Sequence, residues 1–337
     1  MFPLTCASVR SLSPSASPVH RLSRPLSHPS LAPLSRPPPP FQHISPAHTS
    51  RSKMFAALRR FFGSATSASH TLNLAQFTKQ AEPFAAVPAH SHEPTMTALL
   101  DFARVARGSR MVDVACGPGL VSLAAAERGA MVTGVDLTPA CIEAAKAACS
   151  RRGLSATFLV SPAESLPFPD ASFDVAVSRY AFHHIARGMG PNSARAIAVA
   201  EMARAVRSGG LIVICDVLIE GAQQAEAYDS LELLRDNSHA GVISGGLEGG
   251  FRLLREAGLT ALTPLCYPFE ARAEDVVAAS FPDNPSSATE FLSRLRAAAG
   301  GRKVTAKESS LGIAIDATSL SHISYAVPIA IWGGLKP

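Results

Sequence analysis

The stretch Met111–Ser122, MVDVACGPGLVS, constrains the fold of this chain more than any other. Its apolar run Met111–Cys116, interrupted only by Asp113, reads as a strand buried on both faces. Gly117 and Gly119 bracket Pro118, and Leu120 opens a short alanine-rich helix that ends near Gly129. Strand, glycine turn and helix together suit a nucleotide-type ligand. Glycine lets backbone come close to the ligand, and a helix N-terminus offers N–H groups that have no partner within the helix.

The next unit repeats the pattern. Ala130–Val135 reads as a second strand ending in Asp136, followed by a helix over Pro139–Arg152. A carboxylate at the tip of the second strand can accept both hydroxyls of a ribose, so Gly117, Gly119 and Asp136 point to an adenosine ligand. The competing reading makes Asp136 a cap of the helix behind it, with Thr138 sharing the task; the two roles are compatible. A third strand follows over Ala156–Val160, a rigid apolar loop at Leu166-Pro167-Phe168, and a fourth strand over Phe173–Val177. The spacing then predicts a helix over Ser193–Arg207, closed by a glycine cap at Ser208-Gly209-Gly210, and a fifth strand over Leu211–Val217. Strands alternating with helices imply a mainly parallel sheet covered on both faces.

Composition matters mainly through its distribution along the 337 residues. The formal net charge is +5, yet residues 1–70 hold eight basic residues and no acidic one, and the first acid is Glu82. The remainder carries 23 basic against 26 acidic residues, so the positive charge sits in a tail and a nucleic-acid-binding fold is not indicated. That tail is rich in Ser and Pro, a composition that cannot build a packed core. Arg- and Ser-rich, acid-free N-termini are similar to organelle transit peptides. Met54–Ser69, MFAALRRFFGSATSAS, is a second candidate: as a helix it puts Phe55, Leu58, Phe61 and Phe62 on one side and Arg59 and Arg60 towards the other. The expectation is a targeting segment over 1–70, mitochondrial ahead of plastid, with Met54 an alternative start and a cytoplasmic location if the segment does not target. Six scattered cysteines with no CxxC argue against a disulfide framework or a zinc site, and no run of 18 apolar residues occurs, so neither a metal nor a membrane span is expected. His90–Glu93, HSHE, reads as a loop near the ligand entrance, and Met96–Val105 as an amphipathic helix leading into the first strand.

VDVACGPG, VTGVDLTP, AESLPFPDASFDVAVSR and ARAVRSGGLIVICDV, in this order, resemble the class I S-adenosylmethionine-dependent methyltransferases, within them the branch that includes the ubiquinone/menaquinone methyltransferases. The resemblance implies an α/β, Rossmann-like seven-stranded sheet with helices on both faces, mostly parallel with an antiparallel last strand. It implies S-adenosylmethionine as cofactor, bound by Asp113, Ala115, Gly117, Gly119, Asp136, Leu137, Ala163, Glu164 and Ser178. Asp113 would hold the cofactor's ammonium, Asp136 its ribose, and Leu137 would pack on adenine. Pro162 stands where the family usually has an Asp reaching the adenine amine, so that contact must come from elsewhere, with Glu164 a candidate. The rival cofactor is a nicotinamide dinucleotide, which shares the glycine turn; against it, Ser122 replaces the third small residue of that fingerprint.

SRYAFHH, Ser178–His184, lies beyond the fourth strand, where an α/β sheet presents its ligand crevice. His183 and His184 are candidate bases for an acceptor that must lose a proton, or else one packs on the sheet and the other caps a helix. Adjacent residues rarely face the same way, so one of the two is expected to reach the pocket. Arg235, Asp236 and His239 either line an acceptor site or form a structural ion pair. The segment between Ala271 and Ser321 reads as an inserted lid or dimer contact, with Phe281, Phe291 and Leu292 suited to an apolar substrate or a partner chain. The divisions expected are 1–70 targeting, 71–109 helical, 110–217 cofactor-binding and 218–337 the rest of the fold with its lid. The expected activity is methyl transfer to a small, hydrophobic or aromatic acceptor; a catalytically silent assembly factor and an NAD(P)-dependent oxidoreductase are the alternatives.

Overall fold

The computed structural model describes residues 65–86, 93–186, 193–281, 284–319 and 322–337. The targeting segment up to residue 64, and His90 and His92, fall outside these residues.

Five parallel strands form the half of the sheet that carries the motifs. They are β1 (Arg110–Val114), β2 (Met131–Asp136), β3 (Ala156–Val160), β4 (Phe173–Arg179) and β5 (Val206–Val217). Val112 pairs with Thr133 on one side and Ala176 on the other, so β1 sits in the middle. Successive residues serve opposite layers: Met111, Val175 and Val213 belong to one apolar cluster, and Val112, Ala176 and Ile212 to another. Central strands with buried apolar residues on both sides are the consequence of helices on both faces.

Those helices include α1 (Ala65–Ala86), α2 (Glu93–Phe102), α3 (Leu120–Glu127), α4 (Pro139–Arg151) and α5 (Ala194–Ala205). The helix predicted to run to Arg207 stops earlier, at Ala205. Val206 is already extended, with ψ 143°, and no glycine caps the helix. β-branched Val206 pairs with Phe173 and starts β5, while Gly209, at φ +71°, lies where the register of β5 against β4 shifts.

The C-terminal half adds α6 (Ala222–Glu232), α7 (Gly246–Glu256), β6 (Thr260–Arg272), α8 (Ala273–Ser280), α9 (Pro285–Ala299), β7 (Lys303–Val304), β8 (Ala314–Asp316) and β9 (Ser324–Leu335). β9 runs antiparallel between β5 and β6, as expected for the last strand of this architecture. The strand count is nine among the described residues, not seven. The two extra strands, β7 and β8, form a short antiparallel pair that extends the β5 side of β9 through Ala314–Asp316. Phe281 and Phe291 are buried in the core, their rings 5.7 Å apart, and do not face an acceptor. The inserted segment packs into the same apolar cluster as one face of the sheet.

Packing in this half leaves no room for a side chain at Gly250. A Cβ on Gly250 of α7 would lie 2.3 Å from the indole of Trp332, which is fully buried and donates from Nε1 to the Leu247 carbonyl at 3.0 Å. Gly250→Ala is expected to cost about 3 kcal/mol, the upper end for overpacking a rigid site. Thermal unfolding would show it, and an unchanged melting temperature would contradict the packing described.

Candidate functional site

The site is built at the C-terminal ends of β1, β2 and β4, where an open-mouthed cleft of about 990 Å³ lies between the glycine turn, the loop after β3 and α1. Two of the residues lining it, Ala115 (φ +57°) and Tyr180 (φ +54°), are non-glycine residues in the left-handed region. Both stand just beyond a strand end, and backbone conformations of this cost persist mainly where function requires them.

Asp113, Ala115, Gly117, Asp136, Leu137, Ala163 and Glu164 all line this cleft, together with His184. Asp113 is 1 % exposed, and its Oδ2 accepts a 2.6 Å bond from the Ser122 hydroxyl. Burial pushes its carboxyl up to about 6 against the opposing pull of that hydroxyl. Ser122 is thus the partner of Asp113, which accounts for its departure from the small residue of a dinucleotide fingerprint. Asp136 serves both roles considered for it. Its Oδ2 accepts from the Gly117 N–H and its Oδ1 from the Thr138 N–H, both at 2.8 Å, while the carboxylate still borders the cleft. Gly117, at φ +52°, has open space where a Cβ would be, so ligand can come up to the backbone there.

Three expected contacts fall elsewhere. Gly119 caps α3 at φ +86°, and a Cβ there would meet the Ala145 Cβ at 3.0 Å. Its task is to let α3 and α4 pack closely. Ser178 is buried within β4 and does not line the cleft, because the strand alternation turns Arg179 to the opening instead. His183 borders a second cavity and not the cleft.

Residues that sequence reasoning missed complete the cleft. Arg179 brings a buried guanidinium, lying 4.2 Å over the Tyr180 ring. His70, Asn73 and Phe77 come from α1. His70 Nε2 lies 3.4 Å from Glu164 Oε1 across the mouth. Asn73 Nδ2 and Ser69 Oγ donate to the His184 carbonyl at 3.1 and 3.2 Å, and Phe77 meets the His184 ring edge-on. Helix α1 carries no periodic signal that would have announced these contacts.

The second cavity, of about 840 Å³, shares Tyr180 and His184 with the first. Its polar wall holds His183, Glu232, Arg235, Asp236 and His239; its apolar wall includes Val217, Phe269, Val276, Val327 and Ile329. Both histidines of the pair reach it, contrary to expectation. They sit in a turn, where the His184 N–H donates to the Ala181 carbonyl, and their ring centroids are 4.1 Å apart. Arg235, Asp236 and His239 likewise line this cavity, although Arg235 also pairs with Glu232 in α6.

The surroundings push the two histidines in opposite directions. Burial opposes protonation of His183, but the Asp216 carboxylate, 2.6 Å from Nδ1, outweighs it with help from Glu232 and Asp236 and holds its pKa above the usual value. Burial, reinforced by the neighbouring His183 charge, pulls His184 well below its usual value, so His184 is neutral at pH 7. Among the described residues no set of three or more His, Cys, Asp or Glu side chains is arranged for a metal ion, and no helix is long and apolar enough to cross a membrane.

The strand order, the glycine turn and the carboxylates at the ends of β1 and β2 are those of the Rossmann-like class I methyltransferase fold. Residues 112–214 match the family model described as a methyltransferase domain. YcgJ, an uncharacterized methyltransferase of Bacillus subtilis, is 31% identical over 169 residues, covering 50% of this chain and 64% of that protein. An uncharacterized protein of Mycobacterium tuberculosis is 34% identical over 123 residues, covering 36% of this chain and 42% of its own length. The chain therefore spans less than two thirds of either relative. The crystal structure of YcgJ superposes with a TM-score of 0.60 at 22% identity, over 73% of this chain and 99% of that one. A phosphoethanolamine N-methyltransferase of Haemonchus contortus, solved with phosphomonomethylethanolamine and S-adenosylhomocysteine, gives 0.50 at 17% identity, over 73% and 53%. The solved structures carry the fold, and the family match carries the cofactor class. None of these likenesses singles out the quinone branch, a nicotinamide enzyme or a silent assembly factor.

The cleft fits that cofactor on its own chemistry. Asp113 is a buried carboxylate with a raised pKa, which a cation would stabilise in its charged form. A proton and an ammonium compete for it, so cofactor affinity is expected to be flat above pH 6 and to fall up to about tenfold per pH unit below it. Calorimetric titration between pH 5 and 8 would show this, with proton release on binding near pH 6. An affinity independent of pH across that range would remove Asp113 from the ammonium site.

Proposed function

We propose that this protein transfers a methyl group from S-adenosylmethionine to a small acceptor with a hydrophobic or aromatic body. The observation that carries the reading is the junction of two cavities at Tyr180 and His184. When bound, S-adenosylmethionine supplies an electrophilic methyl on a sulfonium. On the protein side, Asp113 and Arg179 offer one negative and one positive charge for the amino-acid end of the cofactor. Asp136 takes the ribose, and Leu137 and Ala163 flank the adenine. Glu164, with His70 beside it, replaces the carboxylate that Pro162 cannot provide. His184, neutral and common to both cavities, is the candidate base, while α1 limits the entry of water. Positioning and water exclusion supply most of the rate in such a transfer.

The test is calorimetric binding of S-adenosylmethionine, S-adenosylhomocysteine and NAD to the full chain. Binding of the first two and not of NAD is the expected result. Binding of NAD alone would replace this reading by an oxidoreductase. We propose further that residues 1–70 direct import into an organelle, mitochondrion ahead of plastid, which a fluorescent fusion with and without that segment would decide.

A further inference from the structure

Two pairs of side chains in the second cavity define the chemistry of the acceptor more narrowly. Asp236 Oδ1 receives both the Ser238 backbone N–H, at 2.8 Å, and the Ser238 hydroxyl, at 2.5 Å. A hydroxyl has one proton, and the carboxylate takes it. The 3.2 Å contact between Ser238 Oγ and His184 Nδ1 must then run the other way, with Nδ1–H as the donor. In a neutral ring this leaves Nε2 without a proton. His184 Nε2 makes no hydrogen bond among the described residues; Asp236 Oδ2 lies 3.8 Å from it, too far for one. The adjacent His183 has the opposite character. Its Nδ1 is committed to Asp216, and its backbone is held by the Asp216 carboxylate and by the Ala240 and Gly241 N–H groups, so Nε2 is left facing the cavity and becomes a donor when the ring takes the proton that Asp216 favours. One free acceptor and one free donor on neighbouring rings match a hydroxyl, which gives one proton and accepts one bond. They match an ammonium poorly, because it has only protons to give and His183 Nε2–H needs an acceptor, and a thioether not at all.

We propose that Asp236 and Ser238 are positioning residues that hold His184 in the Nδ1–H tautomer, so that Nε2 takes the proton of a hydroxyl acceptor, phenolic in preference to aliphatic, seated in the second cavity. The inference rests on the methyl-transfer reading above. The acceptor oxygen bonds to the methyl carbon as the carbon–sulfur bond breaks, with its electron pair retained by sulfur. The hydroxyl proton passes to His184 Nε2. The positive charge lost from the sulfonium thus ends on an imidazolium beside Asp236, and the proton later returns to solvent. His183 donates to the same oxygen while negative charge builds on it. The apolar wall of Val217, Phe269 and Val327 accommodates an aromatic ring, whose hydroxyl proton becomes strongly acidic as its oxygen bonds to the methyl carbon and can then pass to a neutral imidazole.

The tautomer can be read without any acceptor. In the full chain labelled with ¹⁵N, long-range proton–nitrogen spectra at pH 7, with His184 assigned through His184→Gln, are expected to show a proton on Nδ1 and none on Nε2. Ser238→Ala should move that proton to Nε2, facing Asp236 Oδ2, and Ser238→Thr should restore the original state. A folded Ser238→Ala protein with an unaltered tautomer, or a wild-type ring protonated at Nε2, would overturn the assignment. The acceptor class is tested with phenol, 4-nitrophenol and 4-ethylphenol against aniline and thiophenol, following S-adenosylhomocysteine production. Methylation of the phenols, with kcat at least about tenfold lower in Ser238→Ala, KM changed less than about threefold and activity recovered in Ser238→Thr, is the expected pattern. Methylation confined to aniline or thiophenol, or no turnover of any probe by a chain that binds S-adenosylmethionine, would overturn the hydroxyl assignment. A chain that binds neither S-adenosylmethionine nor S-adenosylhomocysteine would instead remove the methyl-transfer reading, and the spectra would still decide the tautomer.

Discussion

Replacing Asp136 with alanine is expected to weaken S-adenosylmethionine binding at least about 100-fold, equivalent to about 2.7 kcal/mol. Two losses contribute. The ribose loses its carboxylate, and the Gly117 and Thr138 N–H groups lose the oxygens that hold the glycine turn and the start of α4 at 2.8 Å. Each hydrogen bond to a charged group contributes about 1.5–3 kcal/mol, so either loss suffices for the effect and both act on the same cleft. Asp136→Asn keeps one acceptor and should fall between the two. Calorimetry on all three proteins, with circular dichroism to establish folding, checks the expectation. An alanine variant that binds within about fivefold of wild type would take Asp136 out of the cofactor site.

Arg195→Met is expected to be the most destabilising change near the acceptor cavity. Arg195 is 2 % exposed, and its guanidinium donates to the carbonyls of Ile185, Gly241 and Val242, with bonds of 3.2 Å from Nε to Ile185 and from a terminal nitrogen to Val242. One side chain of α5 therefore ties the His183–His184 turn to the loop after His239. Methionine fills most of the volume but leaves three buried carbonyls short of a donor, at roughly 1–3 kcal/mol each. A loss of about 4 kcal/mol is a large part of the 5–15 kcal/mol that stabilises a typical domain, and should lower the melting temperature by on the order of 10 °C. Differential scanning calorimetry measures this directly. A shift below about 2 °C would mean that the two loops are held together by other contacts.

Much of the cofactor side is legible in the amino-acid sequence. The apolar runs in MVDVACGPG and VTGVDLTP mark two buried strands. The glycines between strand and helix, and the acids at Asp113 and Asp136, report a local geometry that depends only on nearby residues. Where that local logic is extended to specific contacts it fails in instructive ways. Gly119 has the expected left-handed backbone, but packing against Ala145, not ligand approach, requires it. Ser178 is in the expected strand, but on the face turned away from the cleft. Ser208-Gly209-Gly210 carries glycine as expected, but the helix has already given way to a strand at Val206, where pairing with Phe173 outweighs helical continuation.

By itself, then, the sequence determined the class of fold, the position of the cofactor cleft and the two carboxylates that define it, because periodicity and turn chemistry act over a few residues. Only the tertiary structure decided the acceptor side. His183 and His184 from the turn after β4 meet Asp216 from β5, Asp236, Ser238 and His239 from the segment after α6, and apolar residues from β6 and β9. These groups lie up to about 150 residues apart in the chain; β4–β5 pairing brings the histidines to Asp216, and the insertion of β9 between β5 and β6 adds the apolar wall. Which nitrogen of His184 carries the proton depends on a hydroxyl 54 residues away. No local pattern can encode such a pairing, since it is set by how the buried faces of distant elements pack and by the requirement that their polar groups find partners there.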